Sequence, residues 1–185
     1  MEMTVSHAQS DMRRGYYSGA AGILASALAW TAAAVTAALV SPQKAIWVLL
    51  VGGALIHPAG LVICRLLGAP GRHAKENPLG LLAGASTFWL IFCLPLAYGL
   101  GLQQPAWFFA AMLLVIGGRY LVFGTVYGMH LYWALGLALA GSGFLLAWLG
   151  FATVVVVAVG ATIEAVFGVA CVARHRGWQV PVGAN

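Results

Sequence analysis

Charge is what this chain has least of. Four acidic and nine basic residues are spread over 185 positions, so charged residues make up 7% of the sequence and hydrophobic ones 62%. An ordinary soluble domain carries about 25% charged residues. The polar surface is therefore too small to cover a water-exposed globule, and lipid has to supply the outer environment. Acids are scarcest of all inside the apolar segments, where Glu164 stands alone, which excludes paired-carboxylate catalysis. The three cysteines, Cys64, Cys93 and Cys171, fall within apolar runs with no CxxC spacing. That pattern offers neither a disulfide framework nor a zinc site and leaves them as small packing residues.

Catalytic and nucleotide-binding motifs are missing as well. There is no HExxH, no P-loop and no GxGxxG in a strand–helix context. Ala140-Gly141-Ser142-Gly143 comes close to the GxSG of rhomboid proteases, but it has Ala at the first glycine and the last apolar segment has no histidine to act as base. No metal and no cofactor is expected, and an enzyme is the less favoured reading. The basic excess does not indicate nucleic acid, because the basic residues are scattered at segment ends rather than gathered on one patch or helix.

What remains is a succession of long apolar runs. The first, from about Gly19 to Val40, exceeds the roughly 7–15 residues of a signal-peptide core and matches the roughly 20 that span hydrocarbon. A turn at Ser41-Pro42-Gln43-Lys44 leads to a second run, Ala45 to Leu67. After the polar stretch Gly68 to Asn77, Asn77 and Pro78 supply a cap and a first-turn proline for the third, which ends near Gly101. The remaining runs are Ala106 to Val126, Leu131 to Leu149 and Ala152 to Ala173. The expected fold is all-α: a polytopic bundle of about six transmembrane helices over residues 16–176, between a polar tail at 1–15 and a second tail at 177–185. The last two runs, joined by almost nothing at Gly150, also allow a re-entrant hairpin.

Lysine and arginine separate sharply across this layout. Arg13, Arg14, Arg65, Arg72, Lys75, Arg174 and Arg176 fall on one side, with Lys44 alone on the other. The positive-inside rule then places both termini in the cytoplasm. Trp47, Trp107 and Trp148 read as one aromatic belt, and Tyr16, Tyr17, Tyr132, Trp133 and Trp178 as the other.

Function in such a chain is sought among residues that are costly in hydrocarbon. His57, Arg119 and Glu164 form the candidate intramembrane polar site. At 1.5 Å per residue all three lie roughly 16–18 Å below the outer ends of their helices, near the midplane. Arg119 and Glu164 are expected to pair, because each charge alone is expensive at that depth; an unpaired Glu164 would instead be an isolated protonatable site. His57, beside Pro58, is expected to face the bundle interior. Gly160, Glu164 and Gly168 share one stripe that should pack against another helix. Were the fourth helix to continue, His130 would fall back onto the face of Arg119, Phe123 and Tyr127. At the cytoplasmic surface, Arg65, Arg72, Lys75 and Asn77 are candidate head-group contacts.

The run from Gly117-Gly118-Arg119-Tyr120-Leu121 through Phe123-Gly124-Thr125-Val126-Tyr127-Gly128, with Tyr132-Trp133 and Asn77-Pro78-Leu79, resembles a family of small bacterial six-helix integral membrane proteins of unknown function. The family has histidine where this chain has Arg119. The resemblance implies a six-helix bundle and no particular activity; the expected location is a bacterial inner (cytoplasmic) membrane. The lipid bilayer is the expected partner, together with a second copy of the chain and a small solute or proton. A small-solute or proton-coupled transporter is the leading expectation. A structural or assembly subunit is the alternative, and a lipid-active membrane enzyme comes third.

Overall fold

The computed structural model describes residues 3–178. They form seven α-helices: α1 (Val5–Tyr16), α2 (Ala20–Leu39), α3 (Pro42–Leu66), α4 (Pro78–Gln103), α5 (Pro105–Tyr127), α6 (His130–Trp148) and α7 (Thr153–Arg176). No strand occurs among the described residues. Six segments are long and apolar enough to cross a membrane; the first runs Val5–Leu39 through a break at Tyr17–Gly19. α6 and α7 both reach that length.

Local chemistry explains the boundaries. Ser41 caps α3 by accepting the Lys44 amide at 3.2 Å, and Asn77 caps α4 by accepting the Leu79 amide at 3.0 Å. Proline occupies the first turn of α3, α4 and α5, where its missing N–H costs no hydrogen bond. At the other end of α5, Gly128 adopts φ 60° and stops the helix. His130 consequently opens α6, as the expected end of the fourth run near Val126 requires, and the conditional continuation toward the face of Arg119 does not occur.

The segment expected as an N-terminal tail is helical from Val5, which corrects that boundary. α1 is amphipathic: Ala8, Met12 and Gly15 are buried on one face while Ser6, His7 and Arg14 are exposed. Its side chains tie it to the bundle. Arg13 donates to the carbonyls of Tyr127 and Gly128, the second at 2.6 Å, and Gln9 donates to the Thr125 carbonyl at 2.8 Å. A guanidinium at the carbonyl end of α5 also complements its dipole. The chain then breaks through three left-handed residues, Tyr17, Ser18 and Gly19, before entering α2. Beyond Trp178 the expected C-terminal tail lies outside the described residues.

α2 packs on α3 and α7, α5 packs on α4 and α6, and α7 closes the bundle by touching both α5 and α6. Small residues set the closest approach. A Cβ on Gly117 of α5 would lie 2.6 Å from the Gly136 carbonyl oxygen of α6, and one on Gly136 would lie 2.6 Å from that of Gly117. α4 is the least covered helix and presents Phe88, Trp89, Phe92 and Leu96 outward. Arg13, Arg65, Arg72, Lys75 and Arg174 lie at one end of the bundle, where α1 and the α3–α4 loop meet; Lys44 begins α3 at the opposite end.

Candidate functional site

Glu164 is the most deeply placed charged residue, with 0% of its surface exposed. The spacing of its helix explains why. Gly160, Glu164 and Gly168 lie along one stripe of α7, and both glycines press on α2: a Cβ at Gly160 would meet Trp30 at 2.9 Å, and one at Gly168 would meet Leu24 at 2.8 Å. The absence of side chains on either side of Glu164 draws the two helices together and seals the carboxyl between them. Tyr120 of α5 donates to Glu164 Oε2 at 3.3 Å, and Ser26 of α2 lies beside both groups. Glu164 Oε1 has no hydrogen-bond partner among the described residues.

Arg119 does not supply it. Neighbouring helical residues project about 100° apart, so with Tyr120 aimed at α7 the preceding Arg119 turns toward α4. There it donates to Thr87 Oγ1 at 3.0 Å and lies over the Phe123 ring at 4.8 Å from the centroid, an arrangement favourable for a cation on an aromatic face. Its Nε is buried without a partner, as is Trp30 Nε1. The expected Arg119–Glu164 ion pair is therefore replaced by two separate attachments, although Arg119 remains within electrostatic reach of the acid.

His57 is exposed on α3, which corrects the inward orientation expected of it. The close approach of α3 to α2 is made by Gly52 against Ala29 and Gly60 against Gly22, and that register rotates His57 away from the bundle. The midplane trio is thus divided: Glu164 is sealed inside, Arg119 sits half-buried between α5 and α4, and His57 points outward.

In their place, aromatic and polar groups that the motif search passed over run from Glu164 toward the α1 end of the bundle. The Tyr120 ring lies 6.0 Å from that of Tyr132, which stacks on Tyr127 at 5.2 Å, with Phe123 edge-on to all three. Tyr132 is fully buried and not part of an interfacial belt. Its hydroxyl donates to the Ser18 carbonyl at 2.7 Å, and the Ser18 hydroxyl bonds His175 Nδ1 at 2.7 Å. Gly19 makes this possible, since a Cβ there would fall 2.0 Å from the Tyr132 hydroxyl. The signal available in the sequence was the presence of tyrosines inside apolar runs, because a buried phenol needs a hydrogen-bond partner.

The head-group candidates divide similarly. Arg65, Arg72 and Lys75 are exposed, whereas Asn77 is 3% exposed. Its amide donates to the Ala8 carbonyl at 2.9 Å and to Asp11 Oδ2 at 2.7 Å while its oxygen caps α4. Asn77 is committed to holding α1 against α4 and has no atom left for a lipid.

Residues 5–174 match a family described as a family of unknown function (DUF7010). No curated protein and no solved structure matches the chain.

Proposed function

The chain belongs to that family of unknown function, and from the state of its buried acid we propose that it is a proton-coupled transporter of a small solute, with Glu164 as the residue that exchanges the proton. The observation that carries this reading is Glu164 itself: a carboxyl with no exposed surface, one oxygen held by Tyr120, the other outside hydrogen-bond geometry with the nearby Ser26 hydroxyl, and no cation bonded to the group among the described residues. A residue serving only to fix packing is better placed when both oxygens are bonded, because an unmet polar atom in a dry interior costs about 1–3 kcal/mol. Such a cost is retained where a group has a second, differently bonded state to visit. The aromatic and hydroxyl groups from Tyr120 through Tyr132 and Ser18 to His175 support a route to the cytoplasmic end. In this reading Arg119, released from Glu164, faces the solute path beside α4.

The same reading sets the protein in a bacterial inner membrane with both termini cytoplasmic, supported by the collection of basic residues at the α1 end. Lys75→Cys should then label from the cytoplasmic side only and Gln43→Cys from the outside only.

The function is tested in inside-out vesicles carrying a pH gradient reported by a fluorescent amine. Solutes of a panel that includes amines, amino acids and small acids are added in turn. At least one should dissipate the gradient in the wild type and fail to do so with Glu164→Gln. An equal response in the variant, or none across the panel in the wild type, contradicts the reading.

A structural or assembly subunit is the second reading, favoured by the outward row Phe88, Trp89 and Phe92 on α4. It requires a stable oligomer in mild detergent that is lost when these three are changed to leucine or alanine.

A further inference from the structure

The α3–α4 loop turns back on itself through Gly68 and Gly71, both at positive φ (81° and 69°). Its fold is held in place: the Ala69 amide bonds the Cys64 carbonyl at 2.8 Å, the Gly71 amide bonds the Gly15 carbonyl at 2.9 Å, and the Ala74 amide bonds Asp11 Oδ2 at 3.0 Å. Gly15 is needed for this contact, because a Cβ there would fall 2.4 Å from the Arg72 carbonyl oxygen. The consequence is that Arg72, seven residues beyond Arg65 in sequence, lines the same cavity. The two arginines line one open cavity of about 460 Å³ with Leu61, Pro70 and Gly71, with no acid among the described residues that line it. A second cavity of about 280 Å³ shares Arg72 and Pro70 with the first and adds Arg14 and His7. Among the described residues the acid lining it is Asp11, which already binds the Ala74 amide and the Asn77 side chain.

We infer that this cleft is a binding site for a phosphate group, with Arg65 and Arg72 as its clamp and Arg14 as an outer guide. Guanidinium groups match phosphate oxygens in bidentate geometry, and the end of α3 and the hydrogen-bonded loop after it hold the backbones of Arg65 and Arg72 in place, so that only their side chains need ordering. The apolar wall makes an anionic phospholipid the favoured bearer of that phosphate. Leu61 shares a helix face with Arg65, and Val62 and Leu66 stand exposed beside it, so an acyl chain can follow α3 while the head group stays at the clamp. The site lies apart from Glu164 and does not depend on the transport reading.

The test uses the full-length protein in a neutral detergent and follows thermal unfolding. Short-chain phosphatidylglycerol, short-chain phosphatidylcholine and inorganic phosphate are added separately. Phosphatidylglycerol should raise the unfolding temperature well beyond phosphatidylcholine. Arg65→Gln with Arg72→Gln should reduce the rise to roughly half or less, while Lys75→Gln and Lys44→Gln should leave it in place. Arg65→Lys with Arg72→Lys keeps the charge and loses the fork, so it should also lose most of the rise; this variant serves if the glutamine pair does not fold. An equal rise from inorganic phosphate alone, lost in the same variants, supports the clamp and assigns it to a soluble phosphate. Equal rises in the wild type and both arginine variants, or equal effects of the two lipids with no rise from inorganic phosphate, overturn the site.

Discussion

Tyr120 and Glu164, 44 positions apart in the chain, meet inside the bundle with the phenol donating to the carboxyl at 3.3 Å and no water-exposed surface on the acid. Tyr120→Phe removes this hydrogen bond and leaves neither oxygen of the carboxyl held by α5. The expected loss is about 1–3 kcal/mol of stability, read as a lowered unfolding temperature in detergent. A change below about 0.5 kcal/mol would mean that the hydroxyl is not engaged.

Arg119 and Glu164 are attached to different helices, α4 through Thr87 and α5 through Tyr120. A double-mutant cycle with Arg119→Gln and Glu164→Gln is therefore expected to show a coupling of about 1 kcal/mol or less, from charge acting across space without a direct bond. A coupling of several kcal/mol, with the double variant recovering much of the loss, would restore the direct ion pair.

Close contact between α5 and α6 rests on glycine. Gly136→Ala places a methyl group 2.6 Å from the Gly117 carbonyl oxygen, whereas nothing lies within 4 Å of a Cβ at Gly118. The first should destabilise the bundle by about 1–3 kcal/mol and the second should be close to neutral. Equal effects in thermal unfolding would contradict the packing.

Asn77 joins α1 to α4 through its cap on Leu79 and its bonds to Ala8 and Asp11. Asn77→Ala is expected to cost more than the roughly 1 kcal/mol of a simple helix cap, and to speed hydrogen exchange in α1, whose contacts it removes. An unchanged α1 would show that Arg13 and Gln9 hold that helix alone.

These pairings divide what was legible in the sequence from what was not. The six long helices were legible to within a few residues, because the length of each apolar run and the caps at Ser41, Asn77, Pro105 and Gly128 are local properties. α1 was not, because its apolar face is only Ala8, Met12 and Gly15, too little to signal a helix without the docking that Arg13 and Gln9 provide. The inward stripe of Gly160, Glu164 and Gly168 was legible because side-chain size alone decides which face of α7 can approach α2. The partner of Glu164 was not. Depth follows from counting residues, but the direction in which Arg119 or His57 points depends on helix rotation, which the glycines of α3 and the Tyr120 contact decide. Arg119 and Tyr120 are adjacent, and only one of them can face α7.

Infrared difference spectroscopy of the reconstituted protein, stepped between acidic and alkaline pH, tests the role of Glu164 most directly. The expected result is a protonated-carboxyl band that appears and disappears with the pH step, is absent in Glu164→Gln, and shifts in frequency in Tyr120→Phe because its hydrogen bond has changed. A spectrum in which no carboxyl band depends on Glu164 at any pH would contradict proton exchange at this residue and leave it a packing group between α2 and α7.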